Sequence, residues 1–140
     1  MNILFYLVPK SSVIFVYDDY KILQAMNIME KERYSSVPVL SRDGKYVGAL
    51  SEGDILWGLK DHPELSYELL ERLHVRSLKR LRDNQPVNVN CTMEQLARTA
   101  VNQNFIPVVD DDGIFIGIVT RKSIMNYFLE LNKTNEESEA

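Results

Sequence analysis

Apolar residues fall in short runs along this chain, and the runs come in matched pairs. Val37 to Leu40 and Tyr46 to Leu50 flank Asp43-Gly44; Ile106 to Val109 and Phe115 to Val119 flank Asp112-Gly113. Two runs of β-formers joined through Asp-Gly predict a hairpin, because Gly supplies the positive φ that a tight turn needs. Ahead of each hairpin the apolar positions change period. Ile22, Ala25, Met26 and Met29 in the first half, and Met93, Leu96, Ala97 and Ala100 in the second, recur at helical spacing. Before each helix a β-rich run, Val13 to Val16 or Val87 to Val89, predicts a strand, and after each hairpin a helix starts near Glu52 or Arg121. Each half therefore reads β-α-β-β-α.

The halves are copies. Residues 37–51 align with 106–120 at a constant offset of 69, with Pro38/Pro107, Asp43-Gly44/Asp112-Gly113 and Gly48/Gly117 in register. The predicted organisation is a first repeat over 1–60, a connector over 61–73, a second repeat over 74–131 and a tail over 132–140. The fold class is α/β (α+β), with tandem repeats related by a pseudo-twofold axis and forming one module. Upstream the copies differ: Ile14 to Val37 is 23 residues and Val87 to Ile106 is 19, so the second copy is four shorter there. The connector carries Leu65, Leu69, Leu70 and Leu73 at helical spacing. The polar, acidic tail is expected to lack fixed structure.

Composition narrows the function classes. With 140 residues the chain is one ordinary domain by length, and a net charge of −4 argues against nucleic-acid binding by the whole surface. The single cysteine, Cys91, excludes an intramolecular disulfide and suits a reducing compartment. The longest apolar run, Ile3 to Val8, is too short to span a bilayer and lacks a basic leader, so the expected location is the cytoplasm.

Candidate chemistry sits after the hairpins. Gly48-Ala49-Leu50-Ser51-Glu52-Gly53-Asp54 has a glycine that lets the backbone approach another group, a serine that can cap the next helix, and a carboxylate three residues later. A carboxylate accepts from two vicinal hydroxyls, as ribose requires. A helix N-terminus favours phosphate. The same residues also read as a plain helix cap. The second copy offers Gly117-Ile118-Val119-Thr120-Arg121-Lys122-Ser123, with serine in place of the acid.

A duplicated β-α-β-β-α unit with a Pro-bearing strand and Gly-apolar-apolar-Ser/Thr-x-x-Asp resembles the CBS repeat, and two together resemble a Bateman module. The resemblance covers all but the tail. It implies a regulatory module that binds an adenine nucleotide (AMP, ADP or ATP) and signals to a partner, with no catalytic cofactor, and that associates into homodimers. It also implies clefts shared by the repeats. The first would use Ala49, Ser51 and Asp54 with Pro86, Val87, Asn104, Phe105, Ile106 and Pro107. The second would use Ile118, Thr120 and Ser123 with Val13, Ile14, Ser35, Ser36, Val37 and Pro38. Val13, Ile14 and Val87 read equally well as sheet core. Without the acid the second cleft is expected to bind more weakly. Alternatives are a sensor of S-adenosylmethionine or a cyclic dinucleotide, or a ligand-free dimerisation scaffold.

Arg72, His74, Arg76, Lys79, Arg80 and Arg82 form a basic stretch leading into Pro86. Arg80 and Arg82 are candidate phosphate ligands. The stretch also reads as a docking surface for protein or nucleic acid, or as a solvated face balancing Glu64, Glu68 and Glu71. Arg121 and Lys122 open the last helix, where a cation opposes the dipole, which hints at a nearby anion. No Gly-rich phosphate loop, metal cluster or nucleophile–base pair is present, so an enzyme is not expected. Asp110, Asp111 and Asp112 fall in a turn, where Asp is common.

Overall fold

The computed structural model describes residues 2–64, 67–80 and 83–139. It is an α+β fold made of two compact units, Ile14–Asp83 and the residues up to Val13 together with those from Asn84. In chain order the elements are β1 (Val8–Pro9), β2 (Val16–Tyr17), α1 (Ile22–Glu32), β3 (Ser36–Leu40), β4 (Tyr46–Ser51), α2 (Glu52–Asp61), α3 (Tyr67–Leu70), β5 (Val87–Asn88), α4 (Met93–Ala100), β6 (Phe105–Val109), β7 (Phe115–Thr120) and α5 (Arg121–Glu139).

The predicted hairpins form, and they are the same hairpin twice. β3 pairs antiparallel with β4, and β6 with β7, in registers that superpose at the offset of 69, down to an irregularity at Val39/Leu40 and at Val108/Val109. The turns match as well: Gly44 N–H reaches Ser41 O and Gly113 N–H reaches Asp110 O, with φ of 87° and 80° at the two glycines. A residue bearing Cβ is strained at such angles, which explains the repeated Asp-Gly. Parallel strands complete the pattern, β2 beside β3 and β5 beside β6.

Each unit encloses its own core. Val16, Ala25, Met29, Val37, Val39 and Leu50 are buried in the first; Ile3, Val87, Leu96, Ile106, Val108 and Val119 in the second. Alternate strand residues 37 and 39, and 106 and 108, face the helices, as a period of two requires. Ala25 and Met29, one turn apart on α1, close the first core, and Ile22 at the start of the helix is buried as well.

Several elements differ from the sequence expectation. The first short strand is Val16–Tyr17, not Val13 to Val16; Val13 N–H closes a turn onto Lys10 O, and Ile14 packs half-buried against the core. The register equates Val16 with Val87, so the repeats differ upstream by two residues and not four. α1 is eleven residues long and α4 eight. The connector helix is only Tyr67–Leu70, because α2 stops at Asp61 and the residue before Pro63 is disfavoured in helical conformation. Leu65 and the side chain of Leu69 lie outside the described residues. The acidic tail continues α5 as far as Glu139, with Thr134 and Ser138 hydroxyls donating to carbonyls one turn back. Strand β1 was not anticipated. It pairs with β7 and gives the second unit a four-stranded sheet, β1-β7-β6-β5, against three strands, β2-β3-β4, in the first.

Candidate functional site

Hairpin register places the candidate strand residues opposite one another at one end of each sheet. Ser36 lies opposite Ser51 and Pro38 opposite Ala49; Phe105 lies opposite Thr120 and Pro107 opposite Ile118. The loop before each Pro-bearing strand touches the following helix in the same way. Glu52 N–H donates to Ser35 O at 2.9 Å, and Arg121 N–H to Asn104 O at 3.0 Å. Asn104–Phe105 is therefore the structural counterpart of Ser35–Ser36 in the other repeat. The residues expected in the two clefts fall into these two groups: Ser35, Ser36, Pro38, Ala49, Ser51 and Asp54 in the first unit; Pro86, Val87, Asn104, Phe105, Ile106, Pro107, Thr120 and Ser123 in the second.

Ser51 and Asp54 form a capping box. Asp54 N–H donates to Ser51 Oγ at 3.1 Å, and Ser51 N–H donates to Asp54 Oδ2 at 2.9 Å. The carboxylate is 1% exposed. Asp54 also lines a cavity of about 450 Å³ inside the first unit, with Trp57, Gly58 and Asp61 from the same face of α2 and Leu73, Ser77, Leu78 and Lys79 opposite. In the second unit Thr120 Oγ1 accepts from Ser123 N–H at 3.2 Å and pairs with Ser123 Oγ at 2.9 Å. That turn is neutral where the first is charged.

Arg80 is 17% exposed and bonds Asp83 through Nε, at 2.7 Å from Oδ1. The same Oδ1 accepts Ala49 N–H at 3.0 Å. Burial, with the Asp83 carboxylate nearby, pushes the Tyr46 phenol well above its usual pKa. Arg82 lies outside the described residues. Elsewhere in the basic stretch, Arg72 pairs with Glu68 at 2.6 Å and His74 Nδ1 meets Asp19 O at 2.7 Å.

The CBS-domain family profile matches residues 7–61 and 76–130. This chain belongs to the CBS-domain family. An uncharacterized protein of Methanocaldococcus jannaschii is 30% identical over 140 residues, covering 80% of this chain and 83% of that one. Cyclic di-AMP receptor B of Bacillus subtilis is 25% identical over 109 residues, 78% of this chain and 71% of the relative. The crystal structure of CbpB in complex with c-di-AMP superposes with a TM-score of 0.85 at 26% identity, covering 98% and 91% of the two chains. Two further curated relatives are matched over 20% or less of their own lengths.

Other features of this CBS pair find structural explanations. Arg121 has partners within the protein: its Nε donates to Ala100 O at 2.9 Å, at the C-terminal end of α4, and to Gln103 O at 3.0 Å in the loop that follows. A cation there completes orphan carbonyls and meets the negative end of the α4 dipole, which offsets its poor place at the start of α5. Arg121→Gln is expected to cost about 1–2 kcal/mol in urea denaturation, with nucleotide affinity unchanged. Asp110 Oδ1 accepts from Asp112 and Ile114 N–H, and Asp111 accepts from Asn88, so these acids build the turn. Among the described residues no group of His, Cys, Asp and Glu is placed to hold a metal ion, and no helix is long and apolar enough to cross a membrane. Burial raises the Cys91 thiol pKa, which disfavours the reactive thiolate.

Trp57, which reads from the sequence as packing or surface, lines the cavity with Asp54, and Asp83 and Asn84 are not singled out by the sequence. Trp57 follows Asp54 by one helical turn, a spacing readable from the sequence. Asp83 follows Arg80 by three residues and is the first acid after Glu71. Asn84 Nδ2 donates to Phe105 O at 3.0 Å, beside the expected adenine-binding strand; its partner is 21 residues away, and no local pattern announces it.

Proposed function

We propose that this CBS pair is a regulatory module that binds an adenine-bearing nucleotide, with the ribose hydroxyls taken by Asp54 and the phosphate near the start of α2 and Arg80. The observation that carries this reading is Asp54: a buried carboxylate fixed by a capping box, on the wall of a cavity large enough for a nucleoside. A carboxylate accepts from two vicinal hydroxyls at once, which suits the ribose of a nucleotide. Similarity to cyclic di-AMP receptor B and to CbpB bound to c-di-AMP supports an adenine base, and brings cyclic di-AMP beside AMP, ADP and ATP as ligands to test. The ligand acts by shifting populations of the module, which a regulated protein reads; no bond is made or broken.

Mass spectrometry of small molecules released from the purified protein, followed by calorimetry with AMP, ADP, ATP and cyclic di-AMP, tests this. We expect an adenine compound, with tight binding at the Asp54 end only, because Thr120 and Ser123 offer hydroxyls without charge. Two equal mononucleotide sites per chain would contradict that asymmetry. Absence of binding by every adenine compound would leave the scaffold reading.

A further inference from the structure

We propose that the Ala49 amide and the Arg80 guanidinium form an anion subsite, and that Asp83 is its internal occupant, displaced by a ligand phosphate. The proposal rests on the nucleotide reading above and adds a competitor to it. One oxygen, Asp83 Oδ1, receives both Ala49 N–H at 3.0 Å and Arg80 Nε–H at 2.7 Å. Two converging donors, one of them a guanidinium, suit a phosphate oxygen as well as a carboxylate oxygen. Gly48 makes room for it: a Cβ there would collide with the Asp83 carboxylate.

Comparison of the repeats shows why this occupant is exchangeable. β4 is an edge strand, so the outward N–H of Ala49 has no strand partner. At the equivalent place in the second repeat the edge is closed by backbone, with Pro9 opposite Gly117 and Val8 opposite Ile118. A backbone strand cannot leave without breaking a sheet, whereas a side chain leaves by rotating about two bonds. Exposure points the same way. Arg80 is 17% exposed and Asp83 37%, so the cation is fixed and the acid is the accessible member. Exchange of carboxylate for phosphate keeps the guanidinium paired throughout and avoids the cost of a buried lone charge. A neutral nucleoside offers no such replacement. Asp83 thereby competes with any ligand that places a phosphate in the subsite, and leaves a neutral nucleoside, which does not enter it, unaffected.

Calorimetry of wild type, Asp83→Asn and Arg80→Gln with AMP, cyclic di-AMP and adenosine tests the proposal, with thermal midpoints confirming that each variant folds. Asp83→Asn is expected to bind the phosphorylated ligands roughly threefold to tenfold tighter, as removal of a part-exposed ion-pair competitor implies. Adenosine binding should not change, and Arg80→Gln should weaken only the phosphorylated ligands. If wild type binds a nucleotide and Asp83→Asn binds it no better, the competitor is refuted while the nucleotide reading stands. If no nucleotide binds either protein, that reading fails, and inorganic phosphate followed at the Ala49 amide resonance decides the subsite alone. A shift in Asp83→Asn that is lost on adding Arg80→Gln upholds it; no shift overturns it.

Discussion

Asp54→Asn should fold like the wild type and lose adenine-nucleotide binding by roughly tenfold to a hundredfold, the range set by hydrogen bonds to a charged group. The substitution separates two roles that Asp54→Ala merges. Asparagine keeps an oxygen for Ser51 N–H, so the capping box survives and the thermal midpoint moves little. What it loses is charge and one of two acceptor oxygens, the features that grip a vicinal diol. Asp54→Ala should lose binding too, and in addition about 1 kcal/mol of stability, because Ser51 N–H is left without its partner at a buried helix start. Thermal unfolding of both variants with and without AMP or cyclic di-AMP reads the two effects separately. Wild-type affinity in Asp54→Asn would mean that the carboxylate is only a cap, and the ligand assignment to this turn would fall.

The parts of this protein that could be read from its sequence are those whose causes are local. Asp43-Gly44 and Asp112-Gly113 announce hairpins because a positive φ is needed at a fixed place, and register then follows from turn geometry. Once register is set, Ser36 must face Ser51 and Phe105 must face Thr120. Contacts made across long separations were not. β1 is two residues at the end of an apolar run, and nothing nearby says that it closes the edge of β7 some 109 positions later. Aligning the first strand by its apolar character chose Ile14, whereas pairing with β3 chose Val16. Arg121 looked misplaced because only its own helix was in view; its partners are Ala100 at the end of α4 and Gln103 in the loop that follows. The acidic tail looked unstructured by composition, yet one-turn side-chain contacts and the continuing helix carry it to Glu139. Asp83 was overlooked because its partner Ala49 is 34 residues away.

The two equivalent glycines should respond very differently to the same methyl group. Gly117 has a φ of 156°, and a Cβ there would run into Val8 O, with Leu7 and Pro9 also in contact. Those atoms belong to β1 and its approach, and they cannot withdraw without unpairing Val8 from Ile118. Gly117→Ala combines an unfavourable backbone angle with a steric clash, and is expected to cost roughly 2–4 kcal/mol. For a domain of this length that lowers the midpoint by about 10 °C. At Gly48 the obstacle is a carboxylate at the end of a rotatable side chain, and no strained angle is involved. Gly48→Ala should therefore cost less than about 1 kcal/mol, chiefly the Ala49–Asp83 hydrogen bond. Differential scanning calorimetry of the two variants gives the comparison directly. Equal losses would show that Asp83 is held as firmly as a backbone strand, against the contrast between a fixed and a movable edge on which the two repeats are here distinguished.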